Sequence, residues 1–311
     1  MTLTILLDVS KTALEMGLVN ALTVLSLFLS YSMLNVCDLS TDGCFTLGAV
    51  VGSVVALAGH PFLSLPAAMA AGALSGLVTA VLQTRMGVQS LLAGIVVNTA
   101  LYSVNMAISG NRATLSLNKT TTVFTLARDL LKGTPFSAQY KLLVELAAVA
   151  LVVLFLSLFL RTRLGLAIRA TGSNADMVRS SSINPIFTTT VGLCISNAFT
   201  GLSGCLMAQQ GKSFDINVGS GMLTVALASL LIGGVFFGVR RSIPLRAVGA
   251  VIGSFVFRLV YALALRLHMP AFMLKAASAI IVVLAISGPY LRGLLKNRTK
   301  TVPPDAGRIE V

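Results

Sequence analysis

The chain has no tryptophan, two histidines, four cysteines and ten acidic residues in 311, and charged residues make up only 11% of it. Soluble domains carry about 25%, so an ordinary soluble enzyme is excluded, as the mean hydropathy of +0.90 also indicates. Cys37, Cys44, Cys194 and Cys205 form no CxxC pair and no cluster of ligand spacing, so they read as buried thiols and neither metal nor cofactor is expected. His60 and His268 stand beside Pro61 and near Pro270, which suits turn residues better than a base or a ligand. Gly211-Lys-Ser213 imitates the end of a phosphate-binding loop, but the glycine required five residues earlier is Leu206. No catalytic constellation is present, and the chain reads as a non-enzyme. Asp8, Lys11 and Glu15 precede the first apolar run, a pattern without a basic leader, so no cleaved signal peptide is expected.

What is there is apolar surface. Hydrophobic residues reach 56%, and they gather in runs at about 13–34, 45–57, 62–82, 91–108, 142–160, 186–208, 222–237, 247–265 and 271–291. Roughly 20 apolar residues cross a hydrocarbon core. The fold class is therefore an all-α polytopic membrane protein with about 8–10 transmembrane helices. The second and seventh runs are short and each follows a polar, glycine-containing stretch, the sequence mark of a broken or half-spanning helix.

Lysine and arginine number 23, giving a net charge of +13. Basic residues concentrate in cytoplasmic loops of membrane proteins, and this explains the charge without nucleic acid. Arg85, four arginines over 161–179, Arg240, Arg241, Arg246 and five basic residues of the tail, 13 of the 23, share one side if nine spans alternate. That side is expected to be cytoplasmic, with the N-terminus outside and the C-terminus inside. Arg112, Lys119, Arg128 and Lys132 lie opposite and weaken the rule without reversing it.

An internal echo accompanies this parity. Asp38-Leu-Ser-Thr-Asp-Gly43 follows the first span and Asp215-Ile-Asn-Val-Gly-Ser-Gly221 the sixth, each opening a short small-residue segment. The expected organisation is one transmembrane domain over 1–291: repeat 13–108, linking helix 142–160, cytoplasmic loop 161–185, inverted repeat 186–291, then a basic tail 292–311. The alternative is that Asp and Gly merely punctuate turns at both places.

Polar residues inside spans are costly and face a bundle interior or a watery path. Asn98, Tyr102 and Asn105 recur on one helical face of the fourth span, and Ser196, Asn197, Thr200 and Ser203 occupy the sixth. They are candidates either for a solute pathway or for interhelical bonding; Asp38 and Asp215 join them as candidate path residues. Glu145, Arg258 and Lys275 fall near the proposed outer surface, where long side chains reach headgroups. Gly72 and Gly76 form a GxxxG, a mark of close helix packing.

The most informative loop is Arg161-Thr-Arg-Leu-Gly-Leu-Ala-Ile-Arg-Ala-Thr-Gly-Ser-Asn-Ala-Asp-Met-Val-Arg-Ser-Ser-Ser-Ile-Asn184. Gly172 is expected to break the chain, Ser173 or Asn174 to cap, and a short helix to run to about Ser181. The segment Gly165 to Asn174 with Met177-Val-Arg179 and Ile183-Asn184 resembles the cytoplasmic coupling loop of permease subunits in the branched-chain amino acid and sugar class of ABC importers. Asp38-Leu-Ser with Gly43, Phe45 and Leu47-Gly-Ala49, Ser90-Leu-Leu-Ala-Gly94 with Asn98 and Asn105, and Ser196-Asn197 with Asp215-Ile-Asn217 extend the resemblance over nearly the whole chain. Tryptophan/tyrosine-type amino acid permeases are the subgroup it is most similar to.

The resemblance implies a bacterial cell-membrane protein that imports an amino acid or similar small polar solute by alternating access. It implies a second permease copy (a homodimer), cytoplasmic ABC ATPases that alone hydrolyse ATP, and an extracytoplasmic solute-binding protein. Gly165, Arg169, Gly172, Asn174, Asp176, Met177 and Arg179 would couple to the ATPase. Ser182 departs from the pattern, which has glycine before Ile-Asn, and puts the end of the coupling helix in question. Read without the resemblance, the same spans fit an ion-gradient-driven secondary transporter.

Overall fold

The structure, a computed structural model, describes residues 2–133, 139–237 and 242–266, with the isolated positions 280 and 283. Apart from those two positions the expected ninth span at 271–291, and with it the tail, His268, Lys275, Arg240 and Arg241, lie outside the described residues. Eight apolar helices coincide with the first eight predicted runs. They are α1 (Thr2–Leu27, continued by a π-helical turn Phe28–Met33), α2 (Thr41–Leu57), α3 (Ser64–Thr84), α4 (Ser90–Ile108), α6 (Tyr140–Phe159), α9 (Pro185–Gly211), α10 (Met222–Phe237) and α11 (Ile243–Arg266). Between them stand the short helices α5 (Val123–Leu130), α7 (Arg163–Ser173) and α8 (Ala175–Ser180), and a two-stranded antiparallel ladder of β1 (Thr114–Ser116) with β2 (Ser213–Asp215). Six of the apolar helices are long enough to cross a membrane, while α2 and α10 are not.

The layers follow from lipid as solvent. The most apolar of the six membrane-length helices, α6, lies outermost and exposes Leu146, Leu151, Leu154 and Leu158. The more polar α1 and α9 are central and mostly buried, because backbone and hydroxyl groups need partners that lipid does not supply. Bonds from α9 supply them: Ser196 Oγ donates to the Ser26 carbonyl at 2.8 Å, Thr200 Oγ1 to Ser26 Oγ at 2.7 Å and Ser203 Oγ to the Val19 carbonyl at 2.7 Å.

Glycine sets the closest approaches. A Cβ on Gly72 or Gly76 of α3 would overlap backbone carbonyls of α9 at Asn197 and Leu193, so the GxxxG is a packing seam. Antiparallel pairing of α3 with α9 has a counterpart in α11 with α1, where Ser254 Oγ donates to the Gly17 carbonyl at 2.7 Å.

Two ends of the bundle can be told apart. One carries α7, α8 and the end of α1; Arg85, Arg161, Arg163, Arg169, Arg179 and Arg246 gather there. The other carries the ladder and α5, whose start is held by a Thr122–Thr125 capping box and by Val123 N donating to Gln209 Oε1 at 2.9 Å. On this exposed loop the Lys132 ammonium, 2.6 Å from Asp129, holds that carboxyl below its ordinary range.

Glu145 and Arg258 differ from the expected surface anchors. Glu145 shares the buried stripe of α6 with Val149, Val152 and Leu156, and neither carboxylate oxygen has a hydrogen bond among the described residues. Arg258 is half-buried, with its guanidinium 5.4 Å from the Tyr261 ring centre. The helix phase, not the depth, decides this: position 145 falls on the face that packs inward.

Candidate functional site

Both short helices begin inside the bundle. Segment 34–40 is non-helical and runs back from the end of α1, so that α2 starts level with Asn197, near the middle of α9, and with Asn98, near the middle of α4. A helix start leaves four backbone N–H groups without partners, and in an apolar interior each costs about 1–3 kcal/mol. Side chains meet that demand. Asp38, 1% exposed, accepts Ser40 N at 2.8 Å, Ser40 Oγ at 2.6 Å and Asn197 Nδ2 at 2.7 Å. Asn98 Oδ1 accepts Gly43 N at 2.7 Å, and Asn105 Nδ2 donates to the Gly43 carbonyl at 3.1 Å.

The predicted path residues therefore divide. Asp38 and Asn197 meet directly, and Asn98 and Asn105 grip one glycine of α2 from both sides. Tyr102, between those two amides in sequence, points away and is 53% exposed. Asp215 is exposed at the end of the ladder, in the lead-in to α10, where its carboxylate accepts Asn217 N at 2.7 Å. This i to i+2 bond repeats that of Asp38 with Ser40, so the echoed motifs share a local turn.

The sequence reading missed Asp42. Its Oδ2 accepts Gly221 N at 2.9 Å and its Oδ1 accepts Leu223 N at 2.7 Å, so a side chain of α2 satisfies the opening turn of α10. An acidic residue in the first turn of a helix was visible in sequence; that it serves a second helix was not.

At the α7–α8 end, Thr162 caps α7 through Gly165 N at 3.2 Å. Asn174 caps α8, its Oδ1 accepting Asp176 N at 3.1 Å and Met177 N at 3.0 Å. The break expected at Gly172 falls instead at Asn174, where the chain is extended. Gly172 lies within α7 and is required for a different reason: a Cβ there would overlap the Met33 carbonyl and Leu34 at the end of α1. Gly165 likewise lies against Phe159 and Leu160 at the end of α6. Arg169 is half-buried; Asp176, Met177 and Arg179 are exposed, the two charges 3.5 Å apart. Thr171 and Thr188, hydroxyls 2.8 Å apart, tie α7 to α9.

The C-terminal end of α8 explains the anomaly at Ser182. Ile183 N donates to the Val178 carbonyl at 3.2 Å and Ser182 N to the Arg179 carbonyl at 3.3 Å, with Ser182 left-handed at φ 60°. This is a Schellman cap whose left-handed position is normally glycine. The end of α8 keeps its geometry although serine strains it. Ser182→Gly should stabilise the loop by about 1 kcal/mol, read as slower amide exchange over 175–184.

Residues 12–286 match the family described as the permease component of branched-chain amino acid transport systems. The chain belongs to this permease family. A tyrosine transport system permease protein of Clostridioides difficile is 31% identical over 289 residues, 92% of this chain and 94% of that protein. The ribose import permease protein of Escherichia coli is 26% identical over 80% of this chain and 75% of its own, and the D-allose transport system permease protein of the same species is 30% identical over 69% and 64%. No solved structure matches. This permease thus carries, on a membrane-spanning all-α frame, two shorter apolar helices with buried caps and an exposed capped helix tied to the end of α1.

Proposed function

We propose that the permease is the membrane subunit of an ATP-driven importer that moves an amino acid or similar small polar organic solute by alternating access. The observation that carries the reading is the α7–α8 elbow: an exposed capped helix joined through Gly172 to the end of α1, which leads by 34–40 to Asp38 and α2. A cytoplasmic ATPase engages Asn174, Asp176, Met177 and Arg179, and a shift of α7 reaches the buried helix starts by direct backbone contact. Arg169 and Gly165 hold the elbow in place. The groove lined by Arg179 and 182–186 offers a seat beside α8.

The working unit contains a second copy of the chain, cytoplasmic ATPases and an extracytoplasmic solute-binding protein, with the α7–α8 end and the C-terminus in the cytoplasm of a bacterial cell. The clustering of six arginines at that end supports the orientation. The inverted two-half organisation is supported by the exchange of partners between α3 on α9 and α11 on α1, and by the matching turns at Asp38 and Asp215. Exposed Tyr102 is the path residue we assign to face solute; Asp38, Asn98, Asn105 and Asn197 hold the wall behind it. The likeness to a tyrosine permease favours an amino acid, whereas the ribose and allose permeases make a sugar the competing solute.

Affinity purification of the tagged permease from native membranes in mild detergent should recover a Walker-motif ATPase, and joint reversal of Arg169 and Arg179 to glutamate should lose it with the bundle still folded. Recovery of the chain alone, with uptake persisting when ATP is depleted and stopping when ion gradients collapse, would establish a gradient-driven carrier instead.

A further inference from the structure

Asp42 stands where the starts of α2 and α10 meet. It belongs to the first turn of α2, yet both carboxylate oxygens accept backbone N–H groups from the start of α10, Gly221 at 2.9 Å and Leu223 at 2.7 Å. The positive ends of two helix dipoles converge on this one carboxylate, a favourable place for negative charge. The lead-in to α10 lies directly on α2, since a Cβ on Gly219 would overlap the Asp42 carbonyl and crowd Thr46 Oγ1. On its other side α2 is held by Asn98 and Asn105 of α4 and, through Asp38, by Asn197 of α9. Without Asp42, α10 would begin with unpaired donors and no polar bond of this kind to α2.

We propose that Asp42 is a positioning residue for transport: a cross-pin that joins the starts of α2 and α10 so that these two helices shift together when the path alternates. The proposal rests on the transport reading above and assigns the element that transmits movement between the halves. A pin of this kind is separable from mere stability. Asp42→Ala removes both acceptors, whereas Asp42→Asn keeps one carbonyl oxygen and should retain part of the function. Gly219→Ala pushes the joint apart from the α10 side with the carboxylate intact.

The intact importer in native-host membranes provides two readouts. The first is solute transported per ATP hydrolysed. The second is alkylation of Cys44 by N-ethylmaleimide, located by peptide mapping; Cys44 is fully buried two residues from Asp42, with its Sγ donating to the Asn197 carbonyl at 3.3 Å. Asp42→Ala should lower the transport-to-hydrolysis ratio about tenfold and raise Cys44 labelling severalfold, with Asp42→Asn between it and the parent protein. An unchanged ratio overturns the proposal, and it does so even if labelling rises, because Asp42 would then be a structural cap only. If the alanine variant does not reach the membrane, the same two readouts on Asp42→Asn and Gly219→Ala decide by the same criteria. If the unaltered permease takes up solute with ATP depleted, the importer reading fails separately. The pin is then judged on labelling and uptake rate: changes in both sustain it, and an unchanged uptake rate ends it.

Discussion

Gly204→Leu should abolish recovery of folded permease. Any side chain at 204 places its Cβ on the Phe45 carbonyl and 3.0 Å from Ala49 N, both backbone atoms of α2 that have no flexible end to move aside. The same crossing is as close in the other direction, where a Cβ on Gly48 would overlap Gly201. Forcing the two helices apart also separates Asp38 from Asn197 and Cys44 from its carbonyl partner. Overpacking costs about 1–3 kcal/mol in adaptable cores and more where backbone meets backbone, so the leucine variant is expected to aggregate on detergent extraction. Gly211→Ala is the control. Its Cβ would meet only Ser213 Oγ at 3.8 Å, and its thermal midpoint should match that of the unaltered protein.

Asp38→Ala should be nearly as damaging, for an electrostatic reason. The substitution leaves Ser40 N and the Asn197 amide inside the bundle without their acceptor, at about 1–3 kcal/mol for each buried donor. Asp38→Asn is more informative. Its carbonyl oxygen can still accept from Ser40, but its NH2 then faces the NH2 of Asn197 across 2.7 Å. Exchanging the pair, Asp38→Asn with Asn197→Asp, restores one donor opposite one acceptor and should recover part of the lost thermal stability and transport. A double variant no better than Asp38→Asn alone would show that the bond to Asn197 does not carry the effect.

These two sites show how unevenly the sequence spoke. Eight helices fall where apolar runs of the right length stand, because transfer of that surface out of water dominates and backbone bonds must close within each helix. Capping at Asn174 was legible for the same local reason: an amide followed by three residues of helix satisfies its own neighbours. Gly172 was noticed but assigned to a chain break, since glycine serves loops and close contacts alike and only the proximity of Met33 tells them apart. Asn98 and Asn105 were seen to share a face, and bonding versus solute contact could not be separated until Gly43 was found between them. Asp42 was legible only as a first-turn acid, because the helix it caps lies in the other half of the sequence.

Composition, run length and contacts within a few residues are thus enough to specify a membrane-spanning helical protein with two shortened helices and a capped loop helix, while the permease family is carried by the order and spacing of its motifs. Where the shortened helices begin, which carboxylate serves which helix start and which glycines are seams emerge from the folded chain alone. Those features depend on partners far apart in the chain meeting at backbone distance in an interior that leaves no polar group unpaired without cost.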